Sequence, residues 1–352
     1  MLVYVFILIL ILLNCFIESK ISAVKIYNKN IKVKSLSFGL SYSYILLLGL
    51  LRNEELGVDV ANYKFYFNNL YNSMSLKDII NSSNVDTGYA ILNKITYLFT
   101  YNFRVLEVII FVFSFTIFSI VILKRSQYPA LSFLIYIGMG FLGINLCLLR
   151  QAIAYSLCFA SFDYLKRNKY IQYFLLLLLA FLFHKTAIFF IITFYIKCRS
   201  VIKSNLIRET TIIIISLLSS FYILPQVYKY YAIDYSSINI IGEGYKLMIL
   251  YILISLSLYY IMKKSKFKND IYDYKCSKLS VYCQIIALRF SLFTRVTNYF
   301  SLLFTLSIPN IIYSSKNKRV YYFVAISIFT ALYLYNIFID NFNIVPYISI
   351  FN

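Results

Sequence analysis

Apolar runs of membrane-span length recur from one end of the chain to the other, separated by short polar stretches that carry most of the charge. Met1–Ile17 is the first such run. It has no basic leader and no small-residue cleavage site, so it reads as a span rather than a removed signal peptide. Further runs fall at about 35–51, 105–123, 129–145, 146–165, 170–183, 185–196, 209–224, 245–262, 279–294, 296–313 and 320–338. A span needs roughly 20 apolar residues, and only helices or closed barrels satisfy their backbone inside lipid. The pattern predicts an all-α polytopic membrane protein with about 12 transmembrane helices, forming a single integral membrane domain over residues 1–352.

The polar stretches orient the spans. Most of the 34 Lys and Arg fall in one alternate set of loops: 18–34, 124–128, 166–169, 197–208, 263–278 and 314–319. Basic loops stay on the cytoplasmic side. Both termini, the long loop 52–104 and the loop 225–244 are then expected outside. Within loop 52–104, residues 60–72 place Tyr63, Tyr66, Phe67, Leu70 and Tyr71 at helical spacing, which predicts an amphipathic helix on the outer membrane surface.

Composition agrees with this picture. The chain is 61% hydrophobic and 14% charged, well below the charge of a soluble domain of its length. Its net charge of +20 raises nucleic acid as a partner, but the cations lie in short inter-span loops and nucleic acid is excluded. Cys15, Cys147, Cys158, Cys198, Cys276 and Cys283 form no CxxC pair, so neither a disulfide framework nor a zinc site is expected. Trp is absent, leaving the 36 Tyr to anchor the interfaces.

Candidate chemistry gathers at the outward ends of the spans. Arg150 and Gln151 open an apolar helix, and a guanidinium there offers a planar fork to phosphate or else snorkels to headgroups. His184, the one histidine, ends another span. Imidazole titrates near neutrality and suits a general base, or it simply caps a helix end. Arg289 and Arg295 bracket a break between two runs and could clamp a diphosphate or only mark a hairpin. Asp59 and Asp86 are outward acids able to take a proton or hold sugar hydroxyls. One histidine and scattered acids make no metal cluster, and no nucleotide fingerprint is present, so no cofactor is expected.

Taken in order, these segments resemble the EpsG family of Wzy-like polysaccharide polymerases. The carriers are Arg52, Gly57-Val58-Asp59 and Tyr63; Asp86-Thr87-Gly88-Tyr89, where the family more often has Glu; and Arg150-Gln151 with Ala154. They continue with Ala180 through His184, Arg295 through Tyr299 and Phe300 to Pro309, and Pro346-Tyr347. The resemblance covers nearly the whole chain, and order and spacing carry it rather than any single motif. It implies a GT-C-like architecture and an inverting glycosyltransferase in the bacterial cytoplasmic membrane. Such an enzyme joins undecaprenyl-diphosphate-linked oligosaccharide units at the outer face, to make O antigen, capsule or exopolysaccharide. A flippase and a chain-length regulator are its implied partners, beside membrane lipid. On that reading His184, Arg150 and Asp59 are the catalytic group. Gln151, Arg289, Arg295, Arg52, Tyr63 and Asp86 hold substrate. A lipid-linked oligosaccharide flippase is the alternative.

Overall fold

The structure is a computed structural model that describes residues 1–20, 23–26, 29–54, 56–70, 75, 77–78, 86–198, 244–264, 271–288, 290 and 293–351. It is helical nearly throughout. The exception among the described residues is a short antiparallel hairpin, Ala23–Ile26 with Lys29–Lys32, in the first basic loop.

Most of the expected apolar runs are helices. They include α1 (Leu2–Lys20), α2 (Val33–Leu50), α3 (Val60–Phe65), α4 (Thr87–Phe99) and α5 (Phe103–Arg125). The broken span α6 (Pro129–Gly138) and α7 (Phe141–Cys147) comes next, then α8 (Leu149–Lys166) and α9 (Tyr170–Phe183). A 3-10 stretch, Lys185–Ile191, leads into α10 (Ile192–Cys198). The remainder are α11 (Tyr245–Lys264), α12 (Ile271–Ser277), α13 (Leu279–Ala287), α14 (Thr294–Ser301), α15 (Phe304–Ser314) and α16 (Lys318–Ile339). The expected span at 209–224 and the loop at 225–243 lie outside the described residues.

The count of spans differs from the sequence expectation. Among the described residues four helices (α1, α5, α11 and α16) are long and apolar enough to cross a membrane, or five if the bent pair α6–α7 is one span. Several of the other runs are short or packed inside. All ten residues of α6 are buried, as are fourteen of the eighteen in α8. A helix surrounded by protein gains an apolar sequence without needing full membrane length. Within 60–72, the described residues form α3 followed by a π turn over Tyr66–Leu70.

α8 is the centre. It packs chiefly on α5 and α9, and its Ala152, Ala154, Ser156, Cys158 and Ser161 let neighbouring backbones approach closely. Gly140 breaks the α6–α7 span. It has φ +82°, a left-handed conformation that costs glycine nothing, and the helices on either side meet at 66°.

Two buried polar knots fasten the bundle. The Glu18 carboxylate accepts hydrogen bonds from Ser37 Oγ at 2.8 Å, Tyr322 Oη at 3.0 Å and the Ala130 N–H at 3.2 Å. The last is an unpaired donor at the start of α6, where negative charge is favoured, so one carboxylate ties α1, α2, α6 and α16 together. At the basic end of α8, Asp163 pairs with Arg167 at 2.8 Å and with Arg125, while Lys166 reaches Asp273 at 2.7 Å. Arg150 lies thirteen residues before Asp163 on the same helix, about 20 Å away at 1.5 Å per residue. The two charged groups of α8 are therefore at opposite ends of the bundle.

The chain end closes over the loop after α2. Asn53 N–H donates to Ile348 O at 2.8 Å, Ile350 N–H to Leu51 O at 2.9 Å and Tyr347 Oη to Leu48 O at 2.9 Å.

Candidate functional site

The site forms where α3, α4, α8 and the α9 break converge. Asp86 occupies the N-cap position of α4, where an Asp side chain ordinarily accepts a helix N–H. Here it makes no cap bond, and its Oδ2 meets Arg150 Nη1 at 2.7 Å. A carboxylate diverted from its local backbone to a residue 64 positions on is held by tertiary structure.

Gly88 makes this possible. A Cβ at that position would lie 3.1 Å from the backbone C and O of Leu182, so glycine lets α4 rest closer to the end of α9 than a larger residue would. Two residues beyond Leu182, α9 ends at His184 in an extended conformation (φ −159°, ψ 116°). That break turns the imidazole inward. His184 is 7% exposed, and its Nδ1 stands 3.7 Å from Asp86 Oδ2. At that distance the two are within ion-pair reach but not hydrogen-bonded. Neither ring nitrogen has a hydrogen-bond partner among the described residues. Buried polar atoms in that condition are uncommon, and a catalytic role is one of the explanations they admit.

Burial pushes the Asp86 carboxyl up, but His184 and Arg150 outweigh it, and the group titrates below the usual carboxylate range. It is therefore an anion at neutral pH.

Arg150, the second residue of α8, is one-third exposed, and its guanidinium lies over the Tyr63 ring, 5.7 Å from the centroid. Tyr63 packs in turn on Tyr89, with centroids 5.4 Å apart. Burial raises the Tyr63 hydroxyl, Arg150 and Arg295 oppose it, and Asp59 adds to it, so all three charges are close to this ring. Arg295, at the start of α14, is half-buried and forms no ion pair among the described residues. Asp59 sits half-buried at the N-cap of α3 and makes no cap bond.

Gln151 faces the bundle interior beside Arg150. Its Oε1 accepts from Tyr155 Oη at 2.9 Å, and the same hydroxyl lies 3.0 Å from the Arg295 carbonyl. Tyr155 packs edge-on against Tyr299 at 4.5 Å, whose hydroxyl is 3.3 Å from Thr186 Oγ1. This tyrosine layer links α8, α14 and the 3-10 stretch after His184. Sequence reading missed Tyr155 and named Tyr299 only as part of the Arg295 segment. The i, i+4 spacing of Gln151 and Tyr155 was a usable signal for the first.

The structure thus brings Asp86, Arg150, His184 and Tyr63 together, with Arg295 and Asp59 beside them. It gives Arg52 other work. That side chain is 1% exposed; it donates to Leu56 O at 2.6 Å and pairs with Glu107 at 3.5 Å. Arg104 joins the same carboxylate at 3.1 Å and donates to Gly49 O and Leu50 O. Arg52 therefore fastens the loop that leads to Asp59. Arg289 lies outside the described residues. Among the described residues no group of three or more His, Cys, Asp or Glu could hold a metal ion.

The molecule is thus a helical membrane protein with two arginines, a carboxylate and a histidine gathered at one end of its central helix. The EpsG family model matches residues 35–349, nearly the whole chain, and the chain belongs to that family of Wzy-like polymerases. No curated protein and no solved structure matches it. Family membership gives the protein a polysaccharide-polymerase role of glycosyltransferase type.

Proposed function

We propose that the protein joins undecaprenyl-diphosphate-linked oligosaccharide units by inverting glycosyl transfer, at the outer face of a bacterial cytoplasmic membrane. The observation that carries this reading is the Asp86–Arg150 ion pair with a buried imidazole 3.7 Å from it and Arg295 close to the same Tyr63 ring. Two guanidiniums suit a diphosphate, which leaves with a growing negative charge and needs cations aimed at it. His184 takes the proton from the acceptor hydroxyl, with Asp59 as a second carboxylate beside the site. Tyr63 and Gln151 are 4% and 5% exposed, so they serve the sugar site from behind, Tyr63 by carrying Arg150 on its ring and Gln151 by holding Tyr155. The outward orientation follows from the basic loops, whose cations stand at the far end of α8 from Arg150. A GT-C-type architecture with about 12 spans would count the shorter buried helices and the run at 209–224 as crossings. A flippase that delivers the lipid-linked units and a regulator of chain length are the partners this role calls for.

The test is surface glycan from cells carrying Arg150→Lys or Arg150→Ala. Lysine keeps the charge but loses the fork, so it should shorten chains, and alanine should leave single units accumulated on lipid carrier. Units trapped inside the cell, with no surface glycan at all, would point to transport and overturn the reading.

A further inference from the structure

One oxygen atom faces two basic side chains. Asp86 Oδ2 is 2.7 Å from Arg150 Nη1 and 3.7 Å from His184 Nδ1. The first contact is a charge-assisted hydrogen bond, and the second is too long to be one. The imidazole is 7% exposed and its nitrogens have no hydrogen-bond partner among the described residues. No hydrogen bond in that arrangement holds the proton on one nitrogen. Orientation by a carboxylate is how a histidine base is ordinarily held in the productive tautomer.

The geometry points to a hand-over: Asp86 is a positioning residue that passes from Arg150 to His184 when a diphosphate enters. This rests on the polymerase reading above. A diphosphate offers the Arg150 fork more negative charge than a single carboxylate does. Arg150 is one-third exposed and rides on the face of Tyr63, so it can turn outward without leaving a hole in the core. Oδ2 then has His184 Nδ1 3.7 Å away, and a movement of about 1 Å brings the pair to hydrogen-bond distance. Gly88 on Leu182 keeps α4 close enough to α9 for so small a movement to suffice.

The chemical step follows from that state. His184 Nδ1–H donates to Asp86, leaving Nε2 as the base. The acceptor hydroxyl loses its proton to Nε2 as its oxygen bonds to the donor's anomeric carbon. The bond from that carbon to the phosphate oxygen breaks, and the electron pair leaves on the diphosphate held by Arg150. The imidazolium, paired with the Asp86 carboxylate, later releases its proton to water. An empty donor site leaves Asp86 on Arg150, so the base is set only when there is a sugar to transfer.

The chain has one histidine in 352 residues, so imidazole nitrogen NMR reads this site alone. The full protein in lipid nanodiscs is labelled at histidine nitrogen and titrated with inorganic diphosphate. In the wild type the signal should move from a mixture of tautomers to the Nδ1–H form, with the Nδ1 proton shifted downfield. In Asp86→Asn diphosphate should still bind and the tautomer should not change. In Arg150→Ala the Nδ1–H form should dominate with no diphosphate present, a readout that holds even where Asp86→Asn fails to fold. The same tautomer change in Asp86→Asn as in the wild type, or diphosphate binding with no tautomer change, would overturn the hand-over while leaving the polymerase reading in place. Failure of the wild type to bind diphosphate at all would remove both.

Discussion

Replacing Gly88 with alanine tests how the site is held, because the atoms its methyl would meet first all belong to Leu182. Its Cβ would lie 3.1 Å from Leu182 C and O and 3.2 Å from Leu182 Cβ. Carbon contacts are comfortable at about 3.5 Å or more, so α4 and α9 must part by a few tenths of an ångström. Asp86 lies two residues before Gly88 and His184 two after Leu182, so the retreat widens their 3.7 Å separation. The long Arg150 side chain can follow Asp86 and keep its ion pair. Overpacking of this kind costs about 1–3 kcal/mol of stability. A sub-ångström misplacement at a reacting site costs on the order of 10- to 100-fold in rate. Melting followed by far-ultraviolet circular dichroism in detergent, which needs no tryptophan, reads the first quantity. Polymerisation in reconstituted vesicles reads the second. Gly88→Ala should melt modestly early, lose at least tenfold in rate and bind diphosphate as the wild type does. Wild-type rate and melting in Gly88→Ala would show that the approach of α4 to α9 does not set the site.

Three further outcomes follow from the same structure. Asp86 titrates below the usual carboxylate range because His184 and Arg150 outweigh its burial. A depressed carboxylate adds stability above its unfolded value of about 3.9 and loses it as pH falls through the folded one. The melting difference between wild type and Asp86→Asn should therefore hold steady from pH 8 to 5 and shrink only below about pH 4; a difference that fades between pH 7 and 6 would contradict the ion pair. A reporter fused after Lys264, at the basic end of α11, should be active only in the cytoplasm, and periplasmic activity there would reverse the orientation. Polymerisation should survive EDTA, with the two arginines neutralising the diphosphate; loss in EDTA with recovery on adding a divalent ion would reveal a metal requirement.

Apolar run length made most helices legible, and α1, α5, α11 and α16 stand close to where the sequence put them. The number of crossings was less legible. An apolar run reports only that a segment is out of water, and α6 and α8 are out of water because protein surrounds them. The bend at Gly140 left no sign beyond a glycine. Arg150 and His184 could be named as candidates, since a charged or titratable residue at the mouth of an apolar run demands a reason, and Asp86 as an outward loop acid in the family's motif. That Asp86 sits between the other two was not readable: the contacts span 64 and 98 positions, and the glycine that permits them acts on a backbone. Arg52 shows the converse. Its place in a motif was plain, but its burial against Glu107 and Leu56 depends on how α5 and the loop fold together.

The central claim is that glycosyl transfer from a lipid diphosphate occurs at Arg150, Asp86 and His184. Its most direct test is purified protein in liposomes with one lipid-diphosphate-linked oligosaccharide as the only sugar source, read by product length and by release of lipid diphosphate. The account predicts polymer and lipid diphosphate in step, one released for each linkage formed, with the anomeric configuration inverted. His184→Ala should stop both and still bind diphosphate, and Arg150→Ala should stop both and bind it poorly. Wild-type protein that moves the lipid-linked unit across the bilayer and forms no linkage, or His184→Ala that polymerises at the wild-type rate, would contradict it.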